Sequence, residues 1–191
     1  DYATPLLIEE SVAIRKKLEL HGAKKIVFVV DEHGLEDDRW QTGEDLQKDN
    51  YRYILEQVLA TPWLGVIFKP KVSKTLRNRL GIVSKLLSDA EATGRCLVLE
   101  SDDVNTPPPL LAGLSSDLCV HAHLDGGTVA LECALAGIPT LLIDREGSPF
   151  SKLHELPKNK VVFDDWPQTI DAMMNHFTNS DKDQEFGNWG A

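Results

Sequence analysis

Cysteine, methionine and aromatic side chains are scarce in this sequence, and basic residues are outnumbered by acidic ones. The three cysteines, Cys96, Cys119 and Cys133, lie inside apolar runs with no paired spacing. That excludes a disulfide frame or a zinc cluster and fits reduced thiols in a cytosolic protein. No apolar run is long enough to cross a bilayer, and no signal-peptide pattern opens the chain. With 20 Lys and Arg against 30 Asp and Glu, the net charge is -10, which disfavours nucleic acid as a partner. A small phosphorylated ligand stays admissible, because a local set of backbone N–H groups can bind an anion against the overall field. The four tryptophans, Trp40, Trp63, Trp166 and Trp189, are scattered and build no stacking platform. No serine stands in a strand-to-helix elbow, so Ser-His-Asp chemistry has no support.

What is present is a recurring pattern of short apolar runs. Lys25–Val30, Gly65–Phe68, Cys96–Leu99, Leu118–Val120 with His121, Pro139–Ile143 and Lys160–Phe163 are rich in Val, Ile and Leu. Their hydrophobicity is continuous rather than alternating, as in strands buried on both faces of a parallel sheet. Between them the period turns helical. Tyr51, Ile54, Leu55 and Val58 form one apolar face, Leu76, Leu80, Val83 and Leu87 a second, and Ile170, Met173, Met174 and Phe177 a third. A compact helix runs from Thr128 to Ala136 and is closed by Gly137. Trp166-Pro167 opens the last helix, and one from about Leu6 to Leu20 precedes the first strand. Strand and helix in alternation predict a Rossmann-like three-layer α/β domain, with a parallel sheet of about six strands and helices on both faces.

The 191 residues suffice for one domain. Residues 1–22 read as a linker and opening helix, 23–178 as the domain, and 179–191 as a mobile tail without periodicity. The polar segment from Glu32 to Lys48 reads either as disordered or as a binding loop at the carboxyl end of the first strand.

The segment with the most chemistry follows the fourth strand, where His121-Ala122-His123-Leu124-Asp125 leads into Gly126-Gly127 and then a helix at Thr128. Paired glycines allow close backbone approach to a ligand and torsions closed to other residues. The helix start offers free N–H groups and partial positive charge, which suit a diphosphate. Thr128 can cap the helix or donate its hydroxyl to a phosphate oxygen. Glu132, one turn on, is a lone carboxylate among Leu131, Cys133, Ala134 and Leu135, and such a group needs a partner. Both hydroxyls of a ribose would supply it. The plainer reading is a tight turn followed by a solvated glutamate.

These residues carry a resemblance. Ser116 to Val120, Gly126-Gly127-Thr128, Ala130-Leu131-Glu132, Ala136 to Thr140 and Leu141 to Ile143 together resemble the donor-binding motif of GT-B glycosyltransferases, most of all those of bacterial surface polysaccharides. The UDP-N-acetylglucosamine 2-epimerases use a similar half-site. The resemblance implies a nucleotide-sugar held as substrate, with no further cofactor. Gly126, Gly127 and Thr128 would sit at the diphosphate and Glu132 at the ribose, with the base unidentified. It also implies a second, amino-terminal acceptor domain that lies outside this chain. A chain that opens on Asp1 rather than Met fits the carboxyl-terminal half of a longer enzyme, cytoplasmic or peripheral at the inner face of the membrane. By the same analogy Ser101 stands where related domains contact the base. The rivals are half of a sugar-nucleotide epimerase and a stand-alone, non-catalytic nucleotide-binding module.

Further side chains fall at the same strand ends. Lys69 and Lys71 follow the second strand and can each pair with a phosphate. His121 and His123 stand at the end of the fourth strand, with one available to a phosphate. A metal at these histidines would require Asp125 as a further ligand, and no metal site is expected. Asp31, Glu32 and His33 form a candidate acid–base group, and Arg145 and Glu146 are candidates for the sugar or the missing domain. No catalytic residue is identified.

Overall fold

A computed structural model describes residues 4–31, 43–101, 106–124, 127–145, 151–179 and 184–190. Glu32, His33, Asp125, Gly126 and Glu146 lie outside the described residues. The chain runs α1 (Pro5–Glu19), β1 (Lys25–Asp31), α2 (Glu44–Ala60), β2 (Leu64–Pro70), α3 (Leu76–Leu80), α4 (Val83–Ala92) and β3 (Cys96–Val98). It continues through α5 (Pro109–Leu114), β4 (Leu118–His121), α6 (Thr128–Leu135), β5 (Thr140–Ile143), β6 (Val162–Phe163) and α7 (Trp166–Thr178). The six strands form one sheet in the order β3-β2-β1-β4-β5-β6, and every neighbouring pair is parallel. This is the expected Rossmann-like α/β domain.

Each face of the sheet has its own core. On one side Val27, Val29, Val66, Phe68 and Val120 pack against Ile54, Leu55 and Val58 of α2, Leu87 of α4, and Trp166 and Met173 of α7. On the other, Ile26, Phe28, Val30, Ile67 and Cys119 meet Leu18 of α1, Leu110 and Ala112 of α5, and Cys133 of α6. Alternate residues of one strand feed opposite cores, which is why the strand runs show no alternation in sequence.

Local chemistry sets the boundaries. Thr4 caps α1 by accepting from the Leu7 N–H at 3.3 Å, with Pro5 in the first turn. Asp165 does the same for α7 through the Gln168 N–H at 2.8 Å. The face formed by Leu76, Leu80, Val83 and Leu87 is buried as expected, but two helices carry it. The chain breaks at Gly81, where φ is +54°, and leaves Ile82 93% exposed.

Two expectations are revised. Residues 44–48, assigned to a long loop, form the first turn of α2, whose buried stripe runs Gln47, Asn50, Tyr51, Ile54, Leu55, Val58. The stripe is helical throughout, but its first two members are polar, so hydrophobic periodicity could not reveal it. In the carboxyl-terminal segment expected to be mobile, residues 184–190 are docked on the amino edge of the sheet. Gly187 accepts from the Thr140 N–H and donates to the Lys160 carbonyl, both at 2.9 Å, and the Trp189 indole donates to the Thr140 carbonyl at 2.9 Å. Phe186 is buried beside Phe163 and His176.

Gly187 makes this docking possible. Its φ is +69°, and a Cβ there would lie 2.7 Å from the Thr140 nitrogen and 2.9 Å from Pro139 backbone atoms. Gly187→Ala should therefore destabilise the fold by about 2 kcal/mol or more, a loss of roughly 4–8 °C in Tm. Gly190→Ala, at a similar φ but with nothing within 4 Å of its Cβ position, should cost less. Thermal unfolding followed by circular dichroism compares the two, and equal losses would refute the close-approach argument.

Candidate functional site

Strands β1 and β4 pair at the centre of the sheet, with Val27 opposite Leu118 and Val30 opposite His121. The chain leaving β1 turns into α2 on one face, and the chain leaving β4 turns into α6 on the other. Open α/β sheets bind ligands at such a switch point, outside the carboxyl ends of the strands. A cleft of about 440 Å³ opens there on the α5–α6 side. Phe28 and Val30 line its floor, Lys69, Pro70 and Lys71 one wall, Thr106 and Pro107 another, and Thr128 and Val129 a third. Its volume falls within the range of roughly 300–1,000 Å³ usual for small-molecule sites.

Lys69 is the buried cation of this cleft. Its side chain continues the β2 alternation onto the same face as Ile67, and its ammonium donates to Ser101 Oγ at 2.6 Å and to the Pro70 carbonyl at 3.3 Å. Ser101 is held in turn, since its N–H donates to Ser73 Oγ at 3.1 Å and its carbonyl accepts from that hydroxyl at 2.9 Å. Two residues assigned separate tasks in sequence are thus a bonded pair. Burial pushes the Lys69 ammonium below the ordinary lysine range, against the opposing pull of the Asp31 carboxylate.

Asp31 also lines the cleft, but its carboxylate turns to the opposite face. Its carboxylate is fully buried, 3.5 Å from Arg79 of α3, and adjoins the phenol of Tyr51. Burial pushes the Tyr51 phenol well up, Asp31 adds to that shift, and Arg79 opposes it. Asp31 therefore closes a buried ionic group rather than offering a solvent-accessible base.

At the β4–α6 turn the structure revises two local expectations. Gly127 has φ −63°, a torsion open to any residue; what limits a side chain there is Leu153 Cδ1, 3.0 Å from the Cβ position. Gly127, not Thr128, occupies the capping position, and no side chain caps the helix. The first backbone N–H groups of α6 precede its first intrahelical bond, from Leu131 to the Gly127 carbonyl at 2.9 Å. Thr128 is exposed and lines the cleft. Glu132 lies one turn on, about 6 Å along the helix axis on the same face. It is half-buried, and its carboxylate makes no hydrogen bond or ion pair among the described residues. The lone carboxylate is thus partly in water, because α6 turns Leu131 and Leu135 outward as well.

His121 and His123 are both buried, and neither is among the residues lining the cleft. His121 Nδ1 donates to the His123 carbonyl at 2.6 Å, and His123 Nε2 lies 3.5 Å from the amide nitrogen of Asn50. The Asn50 oxygen accepts from Arg145 at 2.8 Å and from the Trp166 indole at 2.9 Å. Sequence reading missed Asn50, Arg79 and Ser73. Among them only Asn50 left a trace, as a polar residue in register with the apolar stripe of α2. Among the described residues no three His, Cys, Asp or Glu side chains come together so as to hold a metal ion, and no helix is long and apolar enough to cross a membrane.

No family model matches the sequence, and no curated protein sequence is similar to it. Solved structures are similar in fold. HepE of Anabaena, solved in complex with UDP and glucose, superposes with a TM-score of 0.60 at 12% identity over 97% of this chain. The trehalose-6-phosphate phosphatase N-terminal domain of Candida albicans gives a TM-score of 0.52 at 13% identity over 95% of this chain. This chain spans 45% and 42% of those two chains. At such identities the likeness establishes the shared α/β fold.

Proposed function

We propose that this chain is the donor-binding domain of a glycosyltransferase and holds a nucleotide-diphosphate sugar at the carboxyl edge of its sheet. The observation that carries the reading is the switch-point cleft, which a buried lysine and the amino end of α6 both line. An ammonium and a row of helix N–H groups both favour an anion, and together they match the two charges of a diphosphate. Glu132, one turn along α6 and with a carboxylate unpaired among the described residues, is the acceptor for the ribose hydroxyls. Lys69 with Ser101 extends the polar wall toward the base. The fold shared with HepE, whose structure contains UDP and glucose, supports the same reading.

Charge accumulates on the nucleoside diphosphate as the glycosyl bond breaks. Groups fixed around it before reaction stabilise that charge without reorganising. The first turn of α6 and Lys69 are such groups. The acceptor, and the base that deprotonates it, would come from a second domain across the cleft, and transfer would need both.

Calorimetric titration of the chain with UDP, GDP, CMP and their sugars tests the assignment. One nucleoside diphosphate should bind, and Glu132→Ala should weaken it about tenfold or more, the loss of roughly 1.4 kcal/mol or more of interaction, with an unchanged circular dichroism spectrum. Absence of binding across the panel, or an unaltered affinity in Glu132→Ala, would refute it.

Lys69 gives a second test. Its folded pKa is lowered, so it binds its proton less readily folded than unfolded, and the ammonium costs stability at pH 7. That cost is relieved as pH rises through the folded value toward the unfolded one. Lys69→Met should leave Tm at pH 7 equal or higher while weakening nucleotide binding, and any gain in Tm should shrink above pH 10. A lower Tm with unchanged affinity would make Lys69 a structural residue only.

A further inference from the structure

Three chain segments converge on one amide of α2, on the face of the sheet opposite the cleft. Asn50 is 2% exposed within α2. Its Oδ1 faces Arg145, two residues past β5, and Trp166, the first residue of α7, while its Nδ2 faces His123, two residues past β4. The orientation is forced by chemistry. Arginine and the indole N–H only donate, so the oxygen must face them, and the amide nitrogen is left to donate to His123 Nε2. His123 is fixed at its backbone as well, because its carbonyl accepts from His121 Nδ1 at 2.6 Å. A carbonyl only accepts, so His121 carries a proton on Nδ1. The next carbonyl, that of Leu124, accepts from Ser151 Oγ at 3.2 Å, and the Leu124 side chain packs with Ala130 of α6 and Leu142 of β5.

We propose that Asn50 is a positioning residue, holding the exit of β4 and the exit of β5 in one fixed arrangement and thereby setting how the start of α6 faces the cleft. Its consequence for a ligand rests on the donor-site reading above; the positioning itself stands on these contacts alone. Asn50 draws its partners from three segments that are distant in sequence, two of which leave the carboxyl edge of the sheet.

Hydrogen–deuterium exchange of the full chain, with Asn50→Leu and Asn50→Asp beside the wild type, tests this. Leucine matches asparagine in size but accepts nothing, whereas aspartate still accepts from Arg145 and Trp166. In Asn50→Leu the peptides covering the β4–α6 connection and the exit of β5 should exchange about tenfold faster while those of β2 and α4 stay unchanged, the pattern of a local opening. Asn50→Asp should restore protection to within about threefold. If Asn50→Leu does not fold, Asn50→Ser, too short to span all three partners, is measured in the same way. Uniform acceleration along the chain, or none, would overturn the proposal. Titration with UDP or GDP on the same proteins separates the two readings. A wild type that binds neither, with the local exchange pattern present, refutes the donor site and leaves the positioning role. A wild type that binds, beside a folded Asn50→Leu of equal affinity, refutes the consequence drawn for the ligand.

Discussion

The pairing of β1 with β4 is the constraint on which the rest of this structure depends. After β3 the chain crosses back over the sheet to lay β4 along the free side of β1. Parallel crossovers are right-handed, so reversing the direction of travel across the sheet also changes the face the helices cover. Hence α2 and α4 pack on one side and α5 and α6 on the other. At the reversal α2 and α6 lie on opposite faces of the sheet, and the cleft opens at that switch point on the α5–α6 side. The cleft is a consequence of strand order, and its walls are whatever residues stand at the ends of β1, β2 and β4.

The two edges of the sheet treat polar groups differently. At the amino edge buried donors are closed off by protein carbonyls. Arg95 donates to the carbonyls of Val58, Thr61 and Leu64 at 2.6–2.9 Å and so joins the end of α2 to the start of β2. Gly187 and Trp189 close the starts of β5 and β6. At the carboxyl edge, charge and polarity sit beside open space: Lys69 on the cleft wall, the first turn of α6, Glu132 half in water. Buried cations and uncapped helix ends cost stability unless something compensates them. The physical asymmetry behind the functional assignment is that Lys69 and the uncapped start of α6 border open space, whereas Arg95 is closed off by three carbonyls.

That edge also has an internal skeleton of buried polar contacts. Asp31 with Arg79 and Tyr51 anchors the end of β1 to α2 and α3, and Asn50 anchors the exits of β4 and β5 to α2. Each uses a side chain whose partner lies far away in sequence. Such contacts give little net stability once desolvation is counted, but they are directional, and direction is what a ligand edge requires.

The apolar runs and the helical stretches between them determined the parallel α/β class, the six strands and the faces of α4 and α7, because burial on both sides of a sheet leaves continuous hydrophobic stretches. Composition likewise settled that the thiols are unpaired: Cys96, Cys119 and Cys133 are buried and free. The glycine turn was legible as a strand-to-helix junction, and Thr128 as part of its helix start. Only the tertiary structure decided that Gly127 is limited by Leu153 rather than by its torsion, that Lys69 and Ser101 are one pair, and that α2 begins at Glu44. It alone could bring Asn50 to His123 and Arg145, since hydrogen-bond partners across 73 and 95 residues leave no periodic signal in a sequence and exist only once the sheet has set its strand order.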